Sequence, residues 1–212
     1  MDWLPVSAAL LLTGALALCA GGFLLPSSDD GSASETLRIV QEQGGQWMAA
    51  AVILFIASVC LTLGLPAIMT LIQRRGWRIG LVAGIVLEIG FIGTAGFAML
   101  MVFFRALVKT DALRGQNFDA VASEAGLAAF LYVWIIGLYL GELLLAIALL
   151  RARTTPRWVP VALILHVATF PLGDVLPEYL GKATVLLLVV GFAGIAIQAT
   201  ATPEARRELS RV

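Results

Sequence analysis

RRGWRIGLVAGIVLEIGFIG, residues 74–93, decides the class of this chain: Arg74, Arg75 and Arg78 crowd one end, and an apolar run holding a single acid, Glu88, follows. Continued to residue 104, the run exceeds the roughly 20 helical residues needed to cross about 30 Å of hydrocarbon. A charge at the middle of a bilayer costs several kcal/mol or more, so an intramembrane acid is a functional candidate by default. Gly84, Gly90 and Gly93 around it also permit a plainer role, a hydrogen bond across a close, glycine-lined helix contact.

The rest of the chain repeats this pattern. Of 212 residues, 60% are apolar and 13% charged, against about 25% charged in ordinary soluble domains. The expected fold is all-α, a single polytopic membrane bundle over residues 1–212. Six spans are expected near 4–25, 46–72, 78–104, 124–150, 158–176 and 183–201. The fifth is the shortest, and Pro171 within it should kink it or end its regular part. Lys+Arg and Asp+Glu balance at 14 each, which predicts no nucleic-acid partner and no polybasic lipid patch. The partners expected are the bilayer and a lipid-like small molecule.

Arginines in the short loops set the orientation. Arg74, Arg75 and Arg78, then Arg151, Arg153 and Arg157, then Arg206, Arg207 and Arg211 fall on one side of a six-span chain, so both termini are expected to be cytoplasmic. The connection with Arg105, Lys109 and Arg114 is the exception, diluted by Asp111, Asp119 and Glu124. The first outer loop carries Asp29, Asp30, Glu35 and Glu42 against Arg38, and its second half suits a short surface helix. The opening MDWLPVSAALLLTG lacks a basic n-region, so a retained helix is expected in place of a cleaved signal. Cys19 and Cys60 differ in depth by roughly 12 Å at 1.5 Å per residue and should not pair. No inverted repeat is evident, which weakens a transporter reading.

Depth singles out three polar side chains. Glu88 lies ten residues from Arg78, Glu142 nine from Arg151 and His166 nine from Arg157, each about 14–15 Å from the arginine end at 1.5 Å per residue. Spans three, four and five are therefore expected to share a polar centre. Phe91, Phe170, Tyr139 and Trp134 stand three, four, three and eight residues from these groups, roughly on the same helix faces. An acid at the base of an aromatic chamber suits protonation of an alkene or epoxide, since aromatic faces stabilise carbocations. Aromatic core packing is the plainer alternative. A second polar cluster, Asp174 and Glu178 in FPLGDVLPEYLGK (residues 170–182), is either a chamber mouth with a further acid or an interfacial cap. No metal or cofactor is expected, because DxxD, HExxH, GxSxG, GxxxxGKS and CxxC are missing and there is one histidine.

Residues 74–93 and RARTTPRWVPVALIL, residues 151–165, resemble the matching segments of a family of six-helix bacterial membrane proteins of unknown function. The resemblance implies a multi-pass protein of the bacterial inner membrane and no activity. In size and buried carboxylates the chain is also similar to small integral-membrane terpene cyclases, a likeness of character without a shared motif. The leading expectation is an enzyme that cyclises or isomerises an isoprenoid-like lipid by proton donation, with Glu88, Glu142, His166 and Asp174 as catalytic groups. Phe91, Trp134, Tyr139, Phe170 and Glu178 would contact the substrate. The alternatives are a proton-coupled transporter or lipid-binding membrane protein, and a structural subunit with no site.

Overall fold

The computed structural model describes residues 3–26, 33–72, 75–110, 112, 124–172 and 177–201. Helices are α1 (Leu4–Leu24), α2 (Ala33–Glu42), α3 (Gly44–Thr70), α4 (Trp77–Lys109), α5 (Ala125–Ala152), α6 (Trp158–Thr169), α7 (Glu178–Ala183) and α8 (Val185–Thr200). There is no strand among the described residues. Five apolar helical stretches are long enough to cross a membrane, α7 and α8 counting together as Tyr179–Thr200. This is the architecture of a multi-pass helical membrane protein. Its outer faces are apolar, with Ile92, Phe103 and Tyr132 well exposed, as helices facing hydrocarbon require.

The expected fifth span differs. Its α-helix ends at Thr169 and a 3-10 turn, Phe170–Leu172, follows. Pro171 has no N–H to continue the ladder, so the regular part stops there. Twelve α-helical and three 3-10 residues rise only about 24 Å.

Six helices close a ring in which α1 packs on α3, α3 on α4, α4 on α5, α5 on α6, α6 on α8 and α8 on α1. Glycines let the backbones approach. Along α1 and α3, Gly14 and Gly21 receive Leu61 and Leu54, and Gly64 receives Leu11, an antiparallel register. A Cβ on Gly64 would lie 2.7 Å from the Leu11 Cα, so no larger residue fits without separating the helices. The α4–α5 contact is built alike, with Gly141 beneath Leu87, Gly90 against Gly137 and Leu138, and Gly93 beneath Trp134. Leu11, Leu61, Leu87, Phe91, Leu145, Leu163, Leu188 and Phe192 fill the centre. Between α3 and α4, Gly76 at φ 80° occupies the left-handed region that glycine favours, and its Cα sits close to the Ala148 carbonyl.

Helix α2 packs back onto the bundle. In α2, Arg38 bridges Glu35 at 3.2 Å and Glu42 at 3.0 Å, while Ile39 and Val40 bury themselves with Trp47 and Met101. Trp47 Nε1 donates to the Met101 carbonyl at 2.9 Å. Cys19 and Cys60 are free thiols.

Candidate functional site

Glu142 on α5 and His166 on α6 meet in the interior. Glycine on the α5 surface, Gly137 and Gly141, is spent on α4, which leaves the flank bearing Glu142 turned to α6. Glu142 Oε2 and His166 Nδ1 are 2.8 Å apart and share a hydrogen-bonded proton, with the residues 0% and 2% exposed. Tyr139, one turn before Glu142, stacks on the imidazole at 5.4 Å between centroids and packs on Phe170 at 4.2 Å. Glu142 Oε1 is buried with no hydrogen-bond partner among the described residues. The arrangement is a buried carboxyl–imidazole pair capped by two aromatic rings.

Glu88 does not join it. Leu87 faces α5 across Gly141, and one residue of α-helix turns the next side chain by about 100°. Glu88 therefore projects toward α3, where it lines an open groove of about 540 Å³ with Thr62, Leu65, Pro66, Met69 and Thr70. Its Oε2 is buried and has no hydrogen-bond partner among the described residues. Equal depth placed three groups at one level, but the helix angle divides them into a pair and a solitary acid.

The predicted aromatic residues separate as well. Phe91 is fully buried in the central core, where its carbonyl accepts a hydrogen bond from the Ser58 hydroxyl. Trp134 stacks on Phe97 at 4.5 Å, and its Nε1 donates to Thr94 Oγ1 at 3.0 Å. Thr94 in turn donates to the Gly90 carbonyl at 3.0 Å. Only Tyr139 and Phe170 attend the Glu142–His166 pair. Asp174 lies outside the described residues, as does the side chain of Glu178. Lys182 donates to the Leu25 carbonyl at 3.1 Å.

Sequence reasoning missed the groove walls. The available signal was Pro66, inside an apolar helix and four residues after Thr62, because a proline in a helix interior strips a donor from the carbonyl four residues earlier. The chain matches no family model, no curated protein and no solved structure.

Proposed function

We propose that the chain crosses a bacterial cytoplasmic membrane six times with both ends in the cytoplasm, and that it takes a lipid-like molecule sideways from the bilayer and holds it against Glu88. The observation that carries this reading is the buried, unpartnered Oε2 of Glu88 at the wall of an open groove. An acid left without a partner at such a position is costly unless it serves a ligand or a proton. Leu65, Pro66 and Met69 supply apolar wall for a chain, and Thr62 and Thr70 supply polar edges.

The packing supports an even number of crossings. Ala8 near the start of α1, Ala67 near the end of α3, and Ala196 and Ala199 near the end of α8 cluster together. Gly76, before α4, touches Ala148 near the end of α5. The loops bearing Arg75 and Arg78 and those bearing Arg151, Arg153 and Arg157 thus gather at one end, the cytoplasmic one by the positive-inside rule.

Within this reading, a proton-coupled carrier or lipid-binding protein fits better than a cyclase. Phe91, Trp134, Tyr139 and Phe170 do not line the Glu88 groove, so a carbocation formed there would lack aromatic faces. One observation still favours proton-initiated cyclisation or isomerisation of an isoprenoid-like lipid: Glu88 shares its groove with the apolar side chains of Leu65, Pro66 and Met69. Incubating purified protein with a diazirine-bearing isoprenoid alcohol, before and after irradiation, tests both. Label is expected on the Leu65–Thr70 segment with the alcohol otherwise recovered unchanged. Isomeric products of equal mass would establish the enzyme, and label spread evenly over all outer faces would remove the groove from consideration. Reporters at either terminus or at 153–157 should read cytoplasmic; an external tail would overturn the six crossings.

A further inference from the structure

The chemistry of the groove narrows its ligand. Pro66 carries no N–H, so the Thr62 carbonyl lacks its helical donor, and both residues wall the groove. One residue further on the ladder is also open, and a side chain from another helix fills the break. The Ser7 hydroxyl of α1 donates to the Leu63 carbonyl at 2.9 Å and accepts from the Ala67 N–H at 3.1 Å, a side chain inserted into the helical ladder. Ser7 is fully buried, and its hydroxyl serves Leu63 and Ala67 while leaving Thr62 unserved. The Thr70 hydroxyl is engaged within its own turn, donating to the Ala67 carbonyl at 2.8 Å.

The groove is therefore walled both by a residue whose carbonyl lacks its helical donor and by one that bears a carboxyl. Among the described residues no lysine, arginine or histidine lines it, and no ion pair to Glu88 forms. An ester, ketone or quinone would bring a second acceptor and leave the Thr62 carbonyl unmet in apolar surroundings. An alcohol brings one donor and no charge. A quaternary ammonium brings charge and no donor. A primary ammonium brings both, and charge-assisted hydrogen bonds are the strong ones.

We propose that the ligand of the Glu88 groove is a primary-ammonium amphiphile, its charge paired with the Glu88 carboxylate, one N–H given to the Thr62 carbonyl and its apolar chain laid along Leu65 and Met69. This rests on the lateral-uptake reading above and names the class of molecule taken up.

The test uses the full chain in lipid nanodiscs, photolabelled with a diazirine-bearing alkylamine and competed by dodecylammonium, dodecyltrimethylammonium or dodecanol, with empty nanodiscs as reference. Dodecylammonium should compete about tenfold better than either analogue, the size of one charge-assisted hydrogen bond. In Glu88→Gln the advantage should fall to about twofold or less, since the amide keeps the shape and loses the charge. Pro66→Ala, which restores a donor to the Thr62 carbonyl, should weaken dodecylammonium about fivefold and leave dodecyltrimethylammonium unchanged, as loss of one neutral hydrogen bond would do. Equal competition by all three, or preference for dodecanol, overturns the ammonium assignment while keeping a lateral lipid site. Absence of saturable labelling with every probe overturns the assignment and the uptake reading together. Circular dichroism and a monodisperse elution profile identify a variant that has not folded, in which case Glu88→Asp, which keeps the charge and draws it back by one methylene, replaces Glu88→Gln and should cut the advantage about threefold or more.

Discussion

Glu142 and Glu88 each have a buried carboxyl oxygen without a hydrogen-bond partner among the described residues, yet their surroundings differ in kind. Glu142 is 0% exposed, its other oxygen is held by His166 at 2.8 Å, and Tyr139 and Phe170 close over the pair. Glu88 lines an open groove of about 540 Å³. A free oxygen sealed inside a helix contact has nothing to meet but protein. A carboxyl on a residue that lines open space can meet a ligand. That difference is the ground on which the proposed function separates the two acids, the first as a tie between α5 and α6 and the second as a ligand group.

The sharpest way to break this contrast is to remove one member of the sealed pair. His166→Ala should destabilise the protein by about 3 kcal/mol, because deleting one partner of a buried pair strands the other away from water, and by cavity formation besides. Thermal or detergent-induced unfolding of the purified protein measures it. Replacing both partners, Glu142→Leu with His166→Leu, should recover most of the loss, since apolar residues of similar volume often substitute for a buried pair without penalty. If His166→Ala unfolds like wild type, the pair is not what secures α6, and its buried carboxyl becomes a candidate for proton transfer.

A smaller effect tests how the pair is held. Tyr139→Leu keeps apolar bulk and removes the ring that stacks on both His166 and Phe170. About 1 kcal/mol of stability should go with it, the value of an aromatic contact beyond its buried area. Made together with His166→Ala, the two losses should sum to more than the double variant shows, because contacting residues couple by about 0.5–3 kcal/mol. Strict additivity would mean that the ring packs independently of the imidazole.

Much of this was legible in the chain itself. Five of the six expected apolar spans appear as helices long enough to cross a membrane, because composition and run length fix them locally. The short helix expected ahead of the second span, Ala33–Glu42, is there too. Pro171 ends α6 for a reason intrinsic to proline. Glu88 and Glu142 also lie at a similar level along their helices, as Leu87 against Gly141 shows, since rise per residue is constant. Helical angle did not follow from counting. Which way Glu88 and Trp134 point depends on which flank of α4 or α5 meets which neighbour, and that is decided by glycines such as Gly90, Gly137 and Gly141 meeting across helices far apart in sequence. The four aromatic residues were grouped by spacing along separate helices, and only Tyr139 and Phe170 met.

The smallest stability effect is the one that most sharpens the comparison. Among the described residues Glu88 Oε2 has no hydrogen-bond partner and Glu88 forms no ion pair, so Glu88→Gln removes neither. The side chain borders open space, so an amide of the same shape can turn its polar atoms toward the groove without overpacking. Stability should change by less than about 0.5 kcal/mol, as for substitutions away from cores and networks. Unfolding should therefore be indistinguishable from wild type in the same assay that registers His166→Ala plainly. Labelling at Leu65–Thr70 by a charged probe should nevertheless fall, because binding depended on the carboxylate and folding did not. A loss of several kcal/mol in Glu88→Gln would place Glu88 beside Glu142 as a structural group, and the distinction between the sealed acid and the open one would go.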